Sequence, residues 1–344
     1  MIVKKLGAEK LAELHRSNMA LDLGAISGCL ALFVFLAFEL ATGSARAPLW
    51  WLSLFVQGNL ILILAYLNHD VFVHRKLLRP KLRWVVSSVL VWPSQLRASA
   101  YEEKHLLHHR ALGTEADSEF YKHSINTRLR RFLYATAAMV FYRAIFLRGQ
   151  TASLSVERPG AARKDQPRAR YERVTWWAIL AAALAAALVD YRLVLYGYLL
   201  PYVVVTPILN SIRIILEHFD LEPGNPLWNG TFYKTGPLTR VMFWWDAGDC
   251  HLVHHFYANI PFYRMAQALR LIRPILISHC VYEHRSLVGL MREWFAGSRA
   301  HWSVPLEAAR QTAPAGSLKL TPAGEPQLDD PPKGQRDGCA LAQR

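Results

Sequence analysis

The chain has 344 residues, of which 52% are hydrophobic, and its formal net charge is +14. This length allows one to three domains, and a strongly basic chain can indicate nucleic-acid binding. The four cysteines are scattered and form no Cys-x-x-Cys motif, so they do not indicate a disulfide framework.

Apolar segments long enough to cross a membrane dominate the sequence. A membrane-spanning helix needs about 20 mostly apolar residues, and the segments that qualify are 22–42, 48–67, 174–190 and 193–216. They form two pairs, each joined by a few residues, which is hard to reconcile with the core of a soluble protein. The sequence therefore predicts an all-α integral membrane bundle with four transmembrane helices. Prolines such as Pro201 and Pro207 are tolerated inside a membrane span and can kink it.

Two further apolar segments, 82–93 and 132–147, are too short to span a membrane. Both contain arginine together with tyrosine or tryptophan, a composition typical of the membrane interface. We expect them to lie in the interface or to dip partway into the bilayer.

Basic residues are unevenly distributed between the two ends of the predicted bundle. The short turns 43–47 and 191–192 contain only Arg46 and Arg192 of the 40 lysines and arginines. The positive-inside rule then places both termini in the cytoplasm, and we expect an integral protein of a bacterial cytoplasmic membrane. The basic loops are expected to lie against anionic lipid headgroups, with no role in nucleic-acid binding.

Nine of the 14 histidines occur in four short groups beside these spans. The groups are HDVFVH at 69–74, HLLHH at 105–109, EH at 217–218 and HLVHH at 251–255. On an α-helix, residues at i, i+3 and i+4 share one face, so the HxxHH groups each present three imidazoles together. His69 and His74 would lie about 140° apart on an ideal α-helix, gripping one metal from two sides or binding two different metals.

These histidines indicate a metal site, because neutral imidazole is the commonest metal ligand among side chains. A structural zinc takes about four ligands, so nine histidines are too many for one ion and suit two ions with four or five imidazoles each. The spacing leaves iron, copper, zinc and nickel open. All four groups lie at the predicted cytoplasmic ends, and we expect them to meet in a cytosolic helical cap that carries the metal site.

This combination of spans and motifs resembles the integral-membrane fatty-acid desaturase family and its hydroxylase relatives, over roughly residues 20–275. The motifs that carry the resemblance are the four histidine groups and NIPFYR at 259–264, which follows the last of them. The resemblance implies a cytosolic di-iron centre held by three histidine boxes and one additional histidine. The implied iron ligands are His69, His74, His105, His108, His109, His218, His251, His254 and His255. Some members use a tenth ligand through water, and Asn210 is the candidate in this chain.

The same resemblance implies the cofactors and partners of the reaction. These are two iron ions that cycle between Fe2+ and Fe3+, O2 as co-substrate, a lipid or acyl substrate, and an external electron donor of the ferredoxin or cytochrome type. Metal-bound histidines usually donate their other N–H to a carboxylate or carbonyl. The acidic residues placed to accept such bonds are Asp70, Asp117, Glu217 and Asp249.

Removing hydrogen from an unactivated C–H bond needs a strong oxidant, which a metal cofactor that activates O2 can supply. We expect this chain to introduce a double bond into a fatty acyl chain or a similar long apolar lipid. A hydroxylase or ketolase on the same scaffold begins with the same C–H cleavage and remains an alternative. A metal transporter is disfavoured, because transporters place polar ligands near the bilayer midplane and these spans are almost free of polar residues there.

The domain organisation follows from composition. We expect residues 1–310 to form one membrane desaturase-like domain. Residues 311–344 are rich in Pro, Gly and charge, which predicts a disordered tail.

Overall fold

A computed structural model describes residues 6–43, 46–112, 127–129, 132, 167–218, 232–233, 242, 250–277, 283–284 and 287–296. Nearly all of this described part is helical, which confirms the predicted all-α class. The predicted disordered tail, 311–344, and most of the short segment 132–147 lie outside the described residues.

The α-helices of the described part are numbered in chain order. They are α1 Ala8–Leu14, α2 Met19–Thr42, α3 Ala47–Asn68, α4 Pro80–Val91, α5 Ala98–Ala111, α6 Pro167–Val189, α7 Tyr191–Val194, α8 Thr206–His218, α9 His251–Phe256, α10 Phe262–Ile277 and α11 Leu287–Ala296. The π-helical turns are His69–His74, Leu195–Leu199 and Pro201–Val205, and a 3-10 turn covers Trp92–Ser94. The strands β1 Phe232–Tyr233 and β2 Glu283–His284 pair in parallel.

Four helical segments in the described part are long and apolar enough to cross a membrane. They are Ala8–Thr42, Ala47–His74, Arg170–Val189 and Tyr191–Ile214. Each contains most or all of one segment predicted from the sequence, so the four predicted segments are confirmed as apolar helices of spanning length. The second span is the most buried of the four.

The chain divides into two compact units. The membrane unit comprises Asn18–Ala111 and Glu115–Arg213. The C-terminal unit comprises Met1–Ser17, Leu112–Thr114 and Ile214–Arg344. The histidines of the first two boxes belong to the membrane unit, and those of the third box belong to the C-terminal unit.

Small residues and one amide hold the spans of the membrane unit together. A Cβ atom on Gly58 would lie 2.5 Å from Cβ of Val205, and a Cβ on Gly197 would lie 2.8 Å from Cβ of Ala37. Such close approach of helices is typical of membrane bundles, where small residues line the interfaces. The buried Gln57 donates from Nε2 to the carbonyl oxygens of Phe33, at 3.1 Å, and Gly197, at 2.7 Å, and so links three spans.

The fourth span departs from regular α-helical geometry where the sequence contains proline. Pro201 has no amide hydrogen and begins the π-helical turn Pro201–Val205. The hydroxyl of Thr206 donates to the carbonyl oxygens of Pro201 and Gly58, at 3.2 and 2.9 Å. The carbonyl oxygen that Pro201 leaves without a helical donor is that of Gly197, four residues earlier, and it accepts from Nε2 of Gln57 instead.

The apolar segment 82–93 runs beside the second span. It forms α4 and the 3-10 turn, and Oγ of Ser94 donates to the carbonyl oxygen of Ile61 at 3.1 Å. Ile61 lies eight residues before His69, which corresponds to about 12 Å along an α-helix. The end of this segment is therefore level with the interior of the span, which favours the dipping geometry over a purely interfacial one.

The core of the C-terminal unit packs α1 against the helix of the third histidine box. Leu11 and Leu14 from α1 are buried together with Leu252, Val253 and Phe256 from α9. Residues of α10 complete this apolar cluster; they are Met265, Ala268, Leu269 and Ile272. The face of α9 opposite its histidines is thus fixed by apolar packing.

Candidate metal centre

The first histidine box lies on a π-helical turn that continues the second span without a break. In this turn, His69–His74, hydrogen bonds join residues five apart, as shown by the Arg75 amide, which donates to the Asp70 carbonyl oxygen at 3.3 Å. Residues five apart therefore lie on the same side of the helix, and Nε2 of His74 lies 3.1 Å from Nε2 of His69, with the two rings edge-to-face. The expectation of two histidines about 140° apart, based on an α-helix, is wrong for this reason. Single π-helical turns inside α-helices are frequent at functional sites.

The second histidine box lies on α5. His105 and His108 are buried, and His109 is half-buried. The rings of His105 and His109 lie 4.5 Å apart between centroids, as expected for residues four apart on one helical face. Tyr101, one turn earlier, stacks on the His105 ring at 5.8 Å, a contact that the sequence pattern does not indicate.

These two elements bring four imidazoles together within the membrane unit. One ring nitrogen from each of His69, His74, His105 and His109 lies within 4.8 Å of the others. Nε2 of His105 lies 2.7 Å from Nε2 of His69 and 3.0 Å from Nε2 of His74. We call these four residues the imidazole cluster.

The imidazole cluster fits a metal ion. Imidazole nitrogens bind metals at about 2.1 Å, so two such ligands at a right angle would lie about 3 Å apart, close to the observed separations. Burial lowers the pKa of His105 well below its ordinary range, and the neighbouring His69 and His109 lower this pKa further. The His105 ring is therefore neutral near pH 7, which leaves a nitrogen lone pair available to a cation.

The third histidine box lies on α9 in the C-terminal unit. His251 and His254 are buried and His255 is half-buried. Nε2 of His255 lies 2.9 Å from Nε2 of His251, a separation like those found inside the imidazole cluster. The rings of His251 and His254 are stacked, with centroids 5.8 Å apart. The three rings share one side of α9, as the spacing predicted.

Glu217 lies behind the third box in the same unit. It is buried, and its Oε1 lies 3.8 Å from Nδ1 of His251, the ring nitrogen opposite the one that faces His255. A carboxylate on this side of the ring would favour the tautomer that leaves Nε2 free to bind a metal. Its role in orienting the ligand remains a prediction.

Asp70 takes part in a buried group of charges that the sequence pattern does not reveal. Nη2 of Arg75 donates to Asp70 Oδ2 at 2.5 Å and to Asp22 Oδ1 at 2.6 Å, and Nη1 donates to Asp22 Oδ2 at 2.8 Å. We call Asp22, Asp70 and Arg75 the arginine clamp. Burial opposes the charged form of Arg75, but its hydrogen bonds to the two carboxylates outweigh this effect and raise its pKa. The signals in the sequence were an aspartate inside an apolar segment and an arginine directly after the first box.

Other predicted site residues are described incompletely or not at all. Asp117 and Asp249 lie outside the described residues, and for His218 the structure describes the backbone alone, at the end of α8. Asn210, the candidate for a tenth ligand, accepts a hydrogen bond from Nε of Arg213 at 3.1 Å. The assignment of these residues to a metal stays a prediction.

The fold and the imidazole cluster define an integral membrane helical protein with a histidine-rich site able to hold metal. The family model described as fatty acid desaturase matches residues 45–286, which is more than half of the chain. The chain therefore belongs to the fatty acid desaturase family, a family of oxidoreductases. A search of curated proteins found no match to this chain.

Proposed function

We propose that this chain is a membrane-bound, O2-dependent di-iron desaturase that introduces a double bond into a fatty acyl chain or a similarly long apolar lipid. The observation that carries the proposal is the imidazole cluster beside a membrane span, in a chain of the desaturase family. Imidazole-rich ligation suits iron, and the family is known for di-iron sites. Soluble di-iron bundles, by contrast, use mainly carboxylate ligands.

The proposed ligand set consists of the nine clustered histidines. The residues of the set are His69, His74, His105, His108, His109, His218, His251, His254 and His255. Bound iron would supply the activation of O2 that the cleavage of an unactivated C–H bond requires.

The part played by the chain itself is to present neutral imidazoles in fixed positions and to bury the substrate. The π-helical turn and α5 position the first five histidines, and the burial of His69, His105 and His108 limits access of water to them. Asp70 and Glu217 are proposed to support ligand positions, together with Asp117 and Asp249. Electrons would come from an external donor of the ferredoxin or cytochrome type.

A long apolar chain is the substrate class that a site at the membrane boundary favours. Each methylene group transferred from water to an apolar site contributes about 0.8 kcal/mol. About five buried methylenes would therefore favour a long acyl chain by about 4 kcal/mol, or roughly a thousandfold, over a small polar molecule. Acyl lipids and acyl thioesters both meet this requirement.

Product analysis tests the reaction directly. The purified protein, supplied with O2, NADPH as the source of two electrons, a ferredoxin reductase and a ferredoxin, would be incubated with acyl substrates of graded chain length and analysed by mass spectrometry. We expect a product lighter by two hydrogen atoms, formed faster as the chain lengthens, and no product from a His105→Ala variant. A product heavier by one oxygen atom would assign the alternative hydroxylase activity. Equal turnover of a short, water-soluble substrate would contradict the substrate class.

A further inference from the structure

The arginine clamp is the most tightly buried group of charges in the described part of the chain that the proposed ligand set does not use. The side chains of Arg75, Asp22 and Asp70 are 3%, 1% and 0% exposed. Buried charges are costly unless they are paired in close geometry. Arg75 contacts Asp22 through both of its terminal nitrogens and shares one of them with Asp70. Two parallel hydrogen bonds to one carboxylate fix the orientation of the guanidinium group.

The Asp70–Arg75 pair of the clamp has the same sequence spacing as the histidine pair of the first box. Asp70 and Arg75 are five residues apart, and so are His69 and His74. In an α-helix, side chains five residues apart diverge by about 140°, so neither pair would meet on one face. In the π-helical winding Nε2 of His74 approaches Nε2 of His69 to 3.1 Å, and Arg75, the C-cap residue of the turn, reaches back to Asp70, with its amide donating to the Asp70 carbonyl oxygen at 3.3 Å. The local Asp70–Arg75 ion pair and the approach of the two histidines therefore require the same backbone register.

Asp22 holds this register from a different helix. It lies in the first turn of α2, which is capped by Asn18, whose Oδ1 accepts hydrogen bonds from the amides of Ala20, at 3.0 Å, and Leu21, at 3.3 Å. A carboxylate in the first turn is also favoured by the helix dipole. Asp22 lies outside residues 45–286, where the family model matches, so the match carries no information about it.

We infer that the arginine clamp sets the π-helical register of residues 69–74 and thereby turns His69 and His74 into a chelating pair. Asp22 and Arg75 are positioning residues in this arrangement, because they act through the backbone that carries the ligands. π-Helical turns are rare, and an ion pair anchored on a neighbouring helix supplies a reason for this one to persist. The functional part of the inference, that the pair binds iron, rests on the proposed function.

Two conservative variants and one matched control test the inference in the full chain. Asp22→Asn keeps the shape of the side chain and removes its charge, and Arg75→Lys keeps the charge and removes the fork that reaches both carboxylates. Asp190→Asn is the control, because Asp190 also pairs with an arginine, Arg192, at 2.7 Å, but in an exposed position. All three variants change one member of an Asp–Arg pair.

The first measurement is hydrogen–deuterium exchange of the metal-free proteins in detergent, followed by mass spectrometry. We expect peptides that cover residues 69–77 to exchange faster in Asp22→Asn and Arg75→Lys than in the native chain, and Asp190→Asn to match the native chain. The second measurement is the chelator concentration that removes half of the iron from the loaded proteins. We expect this concentration to fall about tenfold or more in the two clamp variants, as for other residues that orient metal ligands.

Unchanged exchange in both clamp variants would overturn the inference, and so would faster exchange with unchanged iron retention. Loss of iron without any change in exchange would show that the charge of the clamp acts directly on the metal, which also overturns the register argument. A native chain that binds no iron would overturn the proposed function instead, and the exchange result would then decide the register by itself.

Discussion

His251 and His255 place their Nε2 atoms 2.9 Å apart across four residues of an α-helix. The first box reaches nearly the same separation, 3.1 Å between His69 and His74, across five residues of a π-helical turn. Two histidine pairs with different sequence spacings thus reach nearly the same Nε2–Nε2 distance, because the first box is wound as a π-helix and the third box as an α-helix. The helix type of each box therefore determines how close its imidazole nitrogens lie in the candidate metal centre.

Iron content is the first prediction. We expect the purified native chain to hold two iron atoms, and His105→Ala to lose at least half of this iron, because His105 approaches both His69 and His74 within 3.0 Å. His15→Ala serves as the control, since His15 contacts the Leu11 carbonyl oxygen and the edge of Tyr257 and is not in a histidine box. Elemental analysis checks the result. One zinc atom and no iron in the native chain would contradict it.

The pH dependence of stability is the second prediction. Burial, assisted by His69 and His109, lowers the pKa of His105 well below the ordinary value of 6.5. Below pH 6.5 the unfolded chain therefore binds more protons at this residue than the folded metal-free chain does. The free energy of unfolding should fall as the pH falls below about 6.5, by up to about 1.4 kcal/mol per pH unit from this group. Above that pH the residue should contribute no slope.

Melting temperatures of the metal-free protein in detergent, measured from mildly alkaline to mildly acidic pH, reveal this dependence. His105→Gln removes the proton-binding site, so its melting temperature should change less steeply in the acidic range than that of the native chain. Parallel curves for the two proteins would show that His105 does not account for the acid sensitivity.

Close packing of the spans is the third prediction. In Gly58→Ala the new Cβ would lie 2.5 Å from Cβ of Val205 and 3.1 Å from the carbonyl oxygen of Pro201, so the second and fourth spans must shift. Overpacking of this kind costs about 1–3 kcal/mol, and the melting temperature should fall. Gly28→Ala is the matched control in the first span, where an added Cβ meets nothing within 4 Å. The melting temperature of the control should be unchanged or slightly raised, because alanine has a higher helix propensity than glycine. Equal melting temperatures for the two variants would argue against the packing described.

Topology is the fourth prediction. A reporter that is active only in the cytoplasm should be active when it is fused after residue 344 and inactive when it is inserted in the turn at residues 43–47. The reason is that this turn and the turn at 191–192 contain only Arg46 and Arg192 among the basic residues, and basic loops remain in the cytoplasm. The opposite pattern of activity would invert the proposed orientation of the termini and the histidine boxes.

The sequence predicted the helical class, the spans and the identity of the candidate ligands. Long apolar segments have few alternatives to membrane helices, because an exposed backbone polar group inside a bilayer costs several kcal/mol. The i, i+4 spacing of His105 with His109 and of His251 with His255 translates directly into neighbouring rings, since an ordinary α-helix carries both pairs. The length of the apolar segments and the i, i+4 spacing of the histidines were sufficient to predict the spans and these ring contacts.

The tertiary structure decided how the first box is wound and what surrounds it. The sequence of His69–His74 is compatible with an α-helix, and the angle inferred from that geometry was wrong because the residues form a π-helical turn. Asp22 and Arg75 are separated by 53 residues in the chain and meet in a buried ion pair. The aspartate inside an apolar segment and the arginine after the first box are each visible in the sequence, but no local pattern connects them. By itself the sequence determined which side chains were available to bind a metal, whereas contacts between distant helices decided the backbone register that brings His69 and His74 together.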